Sequence, residues 1–124
     1  MNLTISPLSH DFSVCKVKDF SSVNIDAEFC FLAKTDEENS LVCLTADIPQ
    51  NCITREDGWR AFRISGVLEF SLIGILSRIT TSLAEAQIGV FAISTYNTDY
   101  ILVKKEQFSE AMEALRAAGY ELIQ

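Results

Sequence analysis

The stretch that decides the fold is Ile88 to Val103, IGVFAISTYNTDYILV. Strand formers run from Val90 to Ser94, a polar tip follows (Thr95-Tyr96-Asn97-Thr98-Asp99), and strand formers leave it from Tyr100 to Val103. Two apolar segments joined by a polar turn predict a β-hairpin. The tip carries more polar side chains than a tight turn needs, and Asp99 sets a charge just before an apolar strand. It is therefore a candidate pocket as well as a turn.

Upstream of the hairpin, Trp59 to Ser65 alternates, with Phe62 and Ile64 on one face and Trp59, Ala61 and Arg63 on the other. This is a strand pattern, ended by Gly66. Ser71 then suits a helix N-cap, and Leu72, Ile75, Leu76, Ile79 and Leu83 recur at helical spacing. Gly89 is the expected stop of that helix. Downstream, a second helix is predicted from Glu106 to Ala118, with Phe108, Ala111, Met112 and Leu115 as its apolar stripe. Glu106 near its start and Arg116 in its last turn suit the helix dipole. Gly119 is a natural residue just past its end. Tyr120 to Ile123 forms a final strand. The order is βαββαβ, the ferredoxin-like plan, an α+β fold whose antiparallel sheet is covered by two helices on one face.

The N-terminal half holds strands without a comparable helix. Leu3 to Ser6 is a short strand stopped by Pro7, and Phe12 to Val17 a second. Glu28 to Ala33 and Leu41 to Ala46 are nearly continuous apolar runs, as strands buried on both faces show. The acidic loop between them, Thr35 to Ser40, suits a solvated turn. His10 and Asp11 fall in a loop between the first two strands, and adjacency in sequence does not make them an acid–base pair. The polar run from Ile48 to Gly58 is the best internal boundary. It divides a mostly β half, residues 1–50, from a βαββαβ half, residues 58–124. The first half is either a degenerate second copy or a set of extra strands.

With 124 residues and 48% hydrophobic content, the chain can bury a real core. Its net charge of −7 argues against nucleic acid and against an anionic membrane surface, both of which call for clustered Lys and Arg. No apolar run reaches the ~20 residues of a membrane span, and no signal peptide is visible after Met1, so the expected compartment is the cytoplasm. The four cysteines, at positions 15, 30, 43 and 52, are then reduced. Their wide, irregular gaps contain no Cys-x-x-Cys pair, so they suggest neither a zinc site nor a redox motif, and they suit packing.

Fold alone decides no function. An RNA-recognition module would need basic residues beside its exposed aromatics, and Val90 to Ser94 has none. A metal-carrying module would need paired thiolates. A phosphatase of this plan would need an Asn after Arg63 in the segment from Val67 to Gly74, where none occurs. A small-molecule binding module remains.

Three stretches carry a family resemblance. The signature Ser94-Thr95-Tyr96-x-Thr98-Asp99-Tyr100-x-Leu102-Val103 resembles that of ACT domains of the type found in the CASTOR arginine sensors and their small bacterial relatives. Leu68-x-Phe70-Ser71-Leu72-x-Gly74-Ile75-Leu76 is similar to the first strand–helix junction of that type, and Thr35-Asp36-x-Glu38-x-Ser40-Leu41-Val42-Cys43 to its N-terminal stretch. The resemblance implies a ferredoxin-like ACT domain in residues 58–124 preceded by a degenerate, mostly β ACT-like half. It implies a regulatory protein, not an enzyme, that binds an amino acid or a similar small molecule, uses no cofactor or metal and pairs as a homodimer. Carried over by position, Thr95, Tyr96 and Asp99 line one wall of the ligand site, and Glu69, Phe70, Ser71, Leu72 and Gly74 the other. The helix start near Ser71 would offer unpaired N–H groups to a carboxylate, and Asp99 would hold an ammonium. The alternative is a structural or protein-interaction module of the same fold that binds no ligand. Leu72 favours it, because the sensors are expected to carry an acidic residue there.

Overall fold

The computed structural model describes residues 4–65 and 74–123. Among these residues seven strands and two helices follow in order: β1 (Thr4–Val17), β2 (Cys30–Lys34), β3 (Asn39–Leu44), β4 (Cys52–Ser65), α1 (Ile75–Glu85), β5 (Phe91–Ser94), β6 (Asp99–Lys104), α2 (Phe108–Ala117) and β7 (Glu121–Leu122). Short 3-10 turns, Thr45–Asp47 and Lys105–Gln107, follow β3 and β6. The chain divides into two compact units, Met1–Ser9 with Arg60–Gln124, and His10–Trp59. Both β1 and β4 contribute residues to each.

In the first unit the strands lie in the order β7-β1-β4-β6-β5. The two helices pack on each other and on the sheet. Ile75, Ile79 and Leu83 of α1 are buried with Phe108, Ala111, Met112 and Leu115 of α2 against Phe62 and Ile64 of β4 and Ile101 and Val103 of β6. Each of the large side chains contributes about 1.5–3 kcal/mol by leaving water. From Ile75 on, both predicted helical stripes are thus real, and the α+β ferredoxin-like plan holds. Ser71, the expected N-cap, lies outside the described residues. The described helix begins after Gly74, whose φ of 88° puts it in the left-handed region.

Four local expectations are corrected. β1 runs straight through Pro7 and takes in His10. The Ile123 N–H donates to the Ile5 carbonyl at 2.8 Å, and β7 pairs with β1 only at Thr4 and Ile5. Two residues on, Pro7 turns its nitrogen to the same side of the strand, where β7 has ended, so the missing N–H loses no ladder bond. Second, β1 enters the sheet between β7 and β4, a place the simple βαββαβ plan leaves to direct pairing of its first and last strands. Third, the polar run before Gly58 is largely strand, because Cys52–Gly58 is the first half of β4, mostly exposed and hence without apolar alternation. Last, α1 stops at Gln87, with φ 63°, and not at Gly89. The Gln87 N–H donates to the Ala84 carbonyl and the Ile88 N–H to the Leu83 carbonyl, a Schellman closure that turns Ile88 into the core. Gly119 closes α2 in the same way, as expected.

In the second unit the order is β2-β3-β1-β4. Cys15, Val17, Leu41 and Cys43 form its core, with Phe20, Val23, Cys30, Ile48 and Cys52 packed around them. Ser13 is fully buried there. Its hydroxyl donates to Asp57 Oδ1 at 2.7 Å and lies 2.8 Å from Thr45 Oγ1, which satisfies a polar group that would otherwise cost stability.

Candidate functional site

The predicted tip is a four-residue turn, Thr95–Thr98, and Asp99 opens β6 opposite Ser94. Thr95 closes the turn by itself: its backbone N–H and its hydroxyl both donate to the Thr98 carbonyl at 2.8 Å. A threonine at this place fixes the backbone, because its hydroxyl doubles the turn's own bond. Tyr96, at the head of the turn, is 100% exposed. The half-buried Asp99 makes neither the local turn bond that such a residue often makes nor an ion pair with any described residue. Next to it, the Tyr100 hydroxyl accepts a bond from Arg63 Nη1 at 3.4 Å.

Of the residues expected on the second wall, Gly74 is described, exposed at the start of α1 with its carbonyl accepting from the Arg78 N–H at 2.8 Å. A Cβ at Gly74 would stand 3.5 Å from Arg78 Nη1, an ordinary contact. The glycine is needed for its backbone conformation, not for a close approach by any described residue. Glu69, Phe70, Ser71 and Leu72 lie outside the described residues.

Two clusters were not legible in the sequence. One joins the four cysteines of the second unit. Cys30 and Cys43 are direct cross-strand partners, and Cys15 and Cys43 are buried in one core against which Cys30 and Cys52 pack. Burial pushes the Cys15 thiol up to about 12 and the Cys43 thiol up to about 11, so both stay protonated and unreactive near neutrality. Among the described residues, no group of three His, Cys, Asp or Glu side chains is placed to hold a metal ion. Irregular sequence gaps hid the convergence; strand register and shared facing could have revealed it.

The other cluster lines a cleft of about 610 Å³ in the first unit, between the Pro7–Ser9 segment of β1, Arg60 of β4 and the outer face of α2. Its residues come from separate parts of the chain, and no motif joins them. His10, the sole histidine, has Nε2 3.6 Å from Glu28 Oε1 and its ring beside Phe29. Both His10 and Glu28 are open to solvent, so this is a surface contact worth little. No helix among the described residues is long and apolar enough to cross a membrane.

Residues 54–117, which include α1, the hairpin and the whole of α2, match the family model of the ACT domain. No curated protein matches the chain by sequence. Among solved structures, protein Atu0741 from Agobacterium tumefaciens is similar over 99% of this chain and 93% of its own, with a TM-score of 0.86 and 25% identity. Aspartate kinase from Clostridium acetobutylicum superposes on 92% of this chain with a TM-score of 0.69 and 14% identity, over 34% of its own length. The regulatory subunit of aspartate kinase from Thermus thermophilus covers 93% of this chain and 96% of its own, with a TM-score of 0.61 and 9% identity. The two kinase comparisons concern the fold alone, and they agree with the family match. With more than half of its length inside that match, this chain belongs to the ACT domain family.

Proposed function

We propose that this protein is a regulatory module that binds an amino acid at the Ser94–Asp99 hairpin and the start of α1, as a homodimer and without catalysis. One observation carries the reading. Asp99 is a half-buried carboxylate with no partner among the described residues, at the foot of a turn that Thr95 holds without its help. A carboxylate partly withdrawn from water and left unpaired carries a cost, and a ligand ammonium relieves that cost with a charge-assisted bond. Thr95 and Tyr96 flank it, and Gly74 with residues 69–72 supplies the opposite wall, where the first turn of the helix receives the ligand carboxylate. Membership of the ACT family, and a fold shared with the regulatory subunit of an aspartate kinase, support an amino acid as the ligand class. The likeness of the Ser94–Val103 signature to the CASTOR-type sensors supports the same class. The assigned compartment is the cytoplasm.

A thermal-shift screen against the twenty amino acids, run beside Asp99→Asn, tests this. A ligand that binds only the folded state at a hundredfold excess over its dissociation constant adds about 2.7 kcal/mol of stability. The expected result is a raised midpoint with one class of amino acid, lost in Asp99→Asn. If no amino acid shifts the midpoint, the protein is instead an interaction module. The fully exposed Tyr96 then becomes the natural anchor for a protein partner.

A further inference from the structure

We infer that the cleft around Arg60 is a second binding site, independent of the hairpin, for a small organic carboxylate with an apolar body. Arg60 Nε and Nη2 both donate to the Leu8 carbonyl, at 3.2 and 2.9 Å. The guanidinium carbon lies 4.2 Å above the centre of the Phe108 ring. One edge and one face of the guanidinium are thereby fixed. The other edge, formed by Nη1 and the second N–H of Nη2, meets no acceptor among the described residues.

The charge is uncompensated. Leu8 offers a neutral carbonyl and Phe108 a neutral ring, and no described carboxylate pairs with Arg60. The cleft's other ionised side chains cancel each other, since Arg116 Nη1 holds Glu113 Oε2 at 2.8 Å. In a chain with a net charge of −7, carboxylates are plentiful, yet none of those among the described residues occupies this edge. A guanidinium edge offers two parallel N–H groups, which match the two oxygens of a carboxylate. A half-buried cation held from two sides also loses little freedom when such a ligand docks. Leu8, Phe108 and Met112, each 9% exposed or less, form the apolar floor beside it. A cleft of about 610 Å³ falls within the ~300–1,000 Å³ usual for small-molecule sites.

The test is a nitrogen–proton NMR titration with hexanoate, followed at the Arg60 side-chain Nε–H and the Leu8 and Phe108 amides, with inorganic phosphate as a parallel probe. Hexanoate should shift these signals saturably. Arg60→Lys keeps the charge but loses the fork, and should weaken binding at least tenfold. Ser109→Glu puts a competing carboxylate at an exposed position on the cleft wall without touching Arg60, and should abolish binding in a folded protein. Asp99→Asn, which removes the hairpin site, should bind hexanoate as the wild type does. Equal binding of phosphate and hexanoate would reduce the site to general attraction for anions and overturn the assignment. So would no shift at Arg60 in millimolar hexanoate, or a response that Asp99→Asn removes.

Discussion

The glycine before α1 offers a test in which the physical causes separate. Gly74 has φ 88° and ψ 0°, a backbone region that costs an L-residue about 1–2 kcal/mol. Among the described residues only Arg78 Nη1, the end of a flexible side chain, comes within 4 Å of a Cβ built there, and at 3.5 Å it need not move. Gly74→Ala should therefore cost the backbone penalty and nothing more. With an unfolding entropy of about 2.1 cal/mol/K per residue, a chain of this length loses about 4 °C of melting temperature per kcal/mol, so the expected fall is about 4–8 °C. Gly119→Ala is the control: its φ is 99° and a Cβ there meets nothing within 4 Å. The two variants should fall together in a melt followed by circular dichroism. A Gly74→Ala protein that melts with the wild type refutes the left-handed conformation. A fall of ~15 °C or more, with Gly119→Ala at the expected value, refutes the open space around the Cβ.

Gln87 suffers the same strain at the end of α1, so Gln87→Gly should raise the melting temperature by a few degrees, an unusual gain for a glycine next to a helix. For the thiols, iodoacetamide at pH 8 should label at most Cys30 and Cys52 in the folded protein, and all four in urea, as read by mass spectrometry; fast labelling of Cys15 or Cys43 in the folded state would contradict their burial. The same two thiols make folding pH-dependent. Their folded values lie above the ordinary thiol value, so the stability they lend is complete below about 9 and is lost as pH rises towards about 11–12, which an alkaline melting series should show. At the acid end, Arg55 first and the Ser13 hydroxyl second hold the Asp57 carboxyl below its usual value. Its contribution is present above the usual carboxylate value and vanishes as pH falls through the folded one, and Asp57→Asn should flatten that part of the profile.

What could be read from the sequence follows what each feature depends on. The helices and the hairpin rest on local periodicity, and Ile75, Ile79 and Leu83 or Phe108, Ala111, Met112 and Leu115 can bury together in only one way. Pro7 misleads because a proline's cost depends on which strand its nitrogen faces, a tertiary fact. Cys52–Gly58 misleads because an exposed strand carries no apolar alternation. Gly89 misleads because the end of α1 is set by where Ile88 must enter the core, and the chain accepts a left-handed glutamine to put it there. At the candidate site Thr95, Tyr96, Asp99 and Gly74 drew attention by residue type, but whether Asp99 had a partner depends on what the fold brings near it. Arg60 was not singled out at all, since its role comes from Leu8 and Phe108, far from it in the chain.

The two hairpins explain why a ligand would choose one of them. They share a frame: Lys34 pairs with Asn39 as Ser94 pairs with Asp99, Thr35 bonds the Glu38 carbonyl as Thr95 bonds that of Thr98, and Leu41–Cys43 is buried as Ile101–Val103 is. Their polar groups are spent differently. In the β2–β3 hairpin Thr35 Oγ1 accepts the N–H groups of Glu37 and Glu38, Ser40 donates to the Glu38 carboxylate, and the Asn39 amide donates to the Lys18 carbonyl. That turn bonds its own Glu38 carboxylate, and at the position equivalent to Asp99 it has a neutral amide already in use. In the β5–β6 hairpin the position carries a carboxylate with no described partner, and the turn before it carries the fully exposed Tyr96. Exposed self-satisfied groups gain little from a ligand, because binding must first break what is already made. A half-buried group left unpaired gains the most. The same backbone frame thus yields one closed turn and one open one, and the open one is where the side chains leave something for a ligand to do.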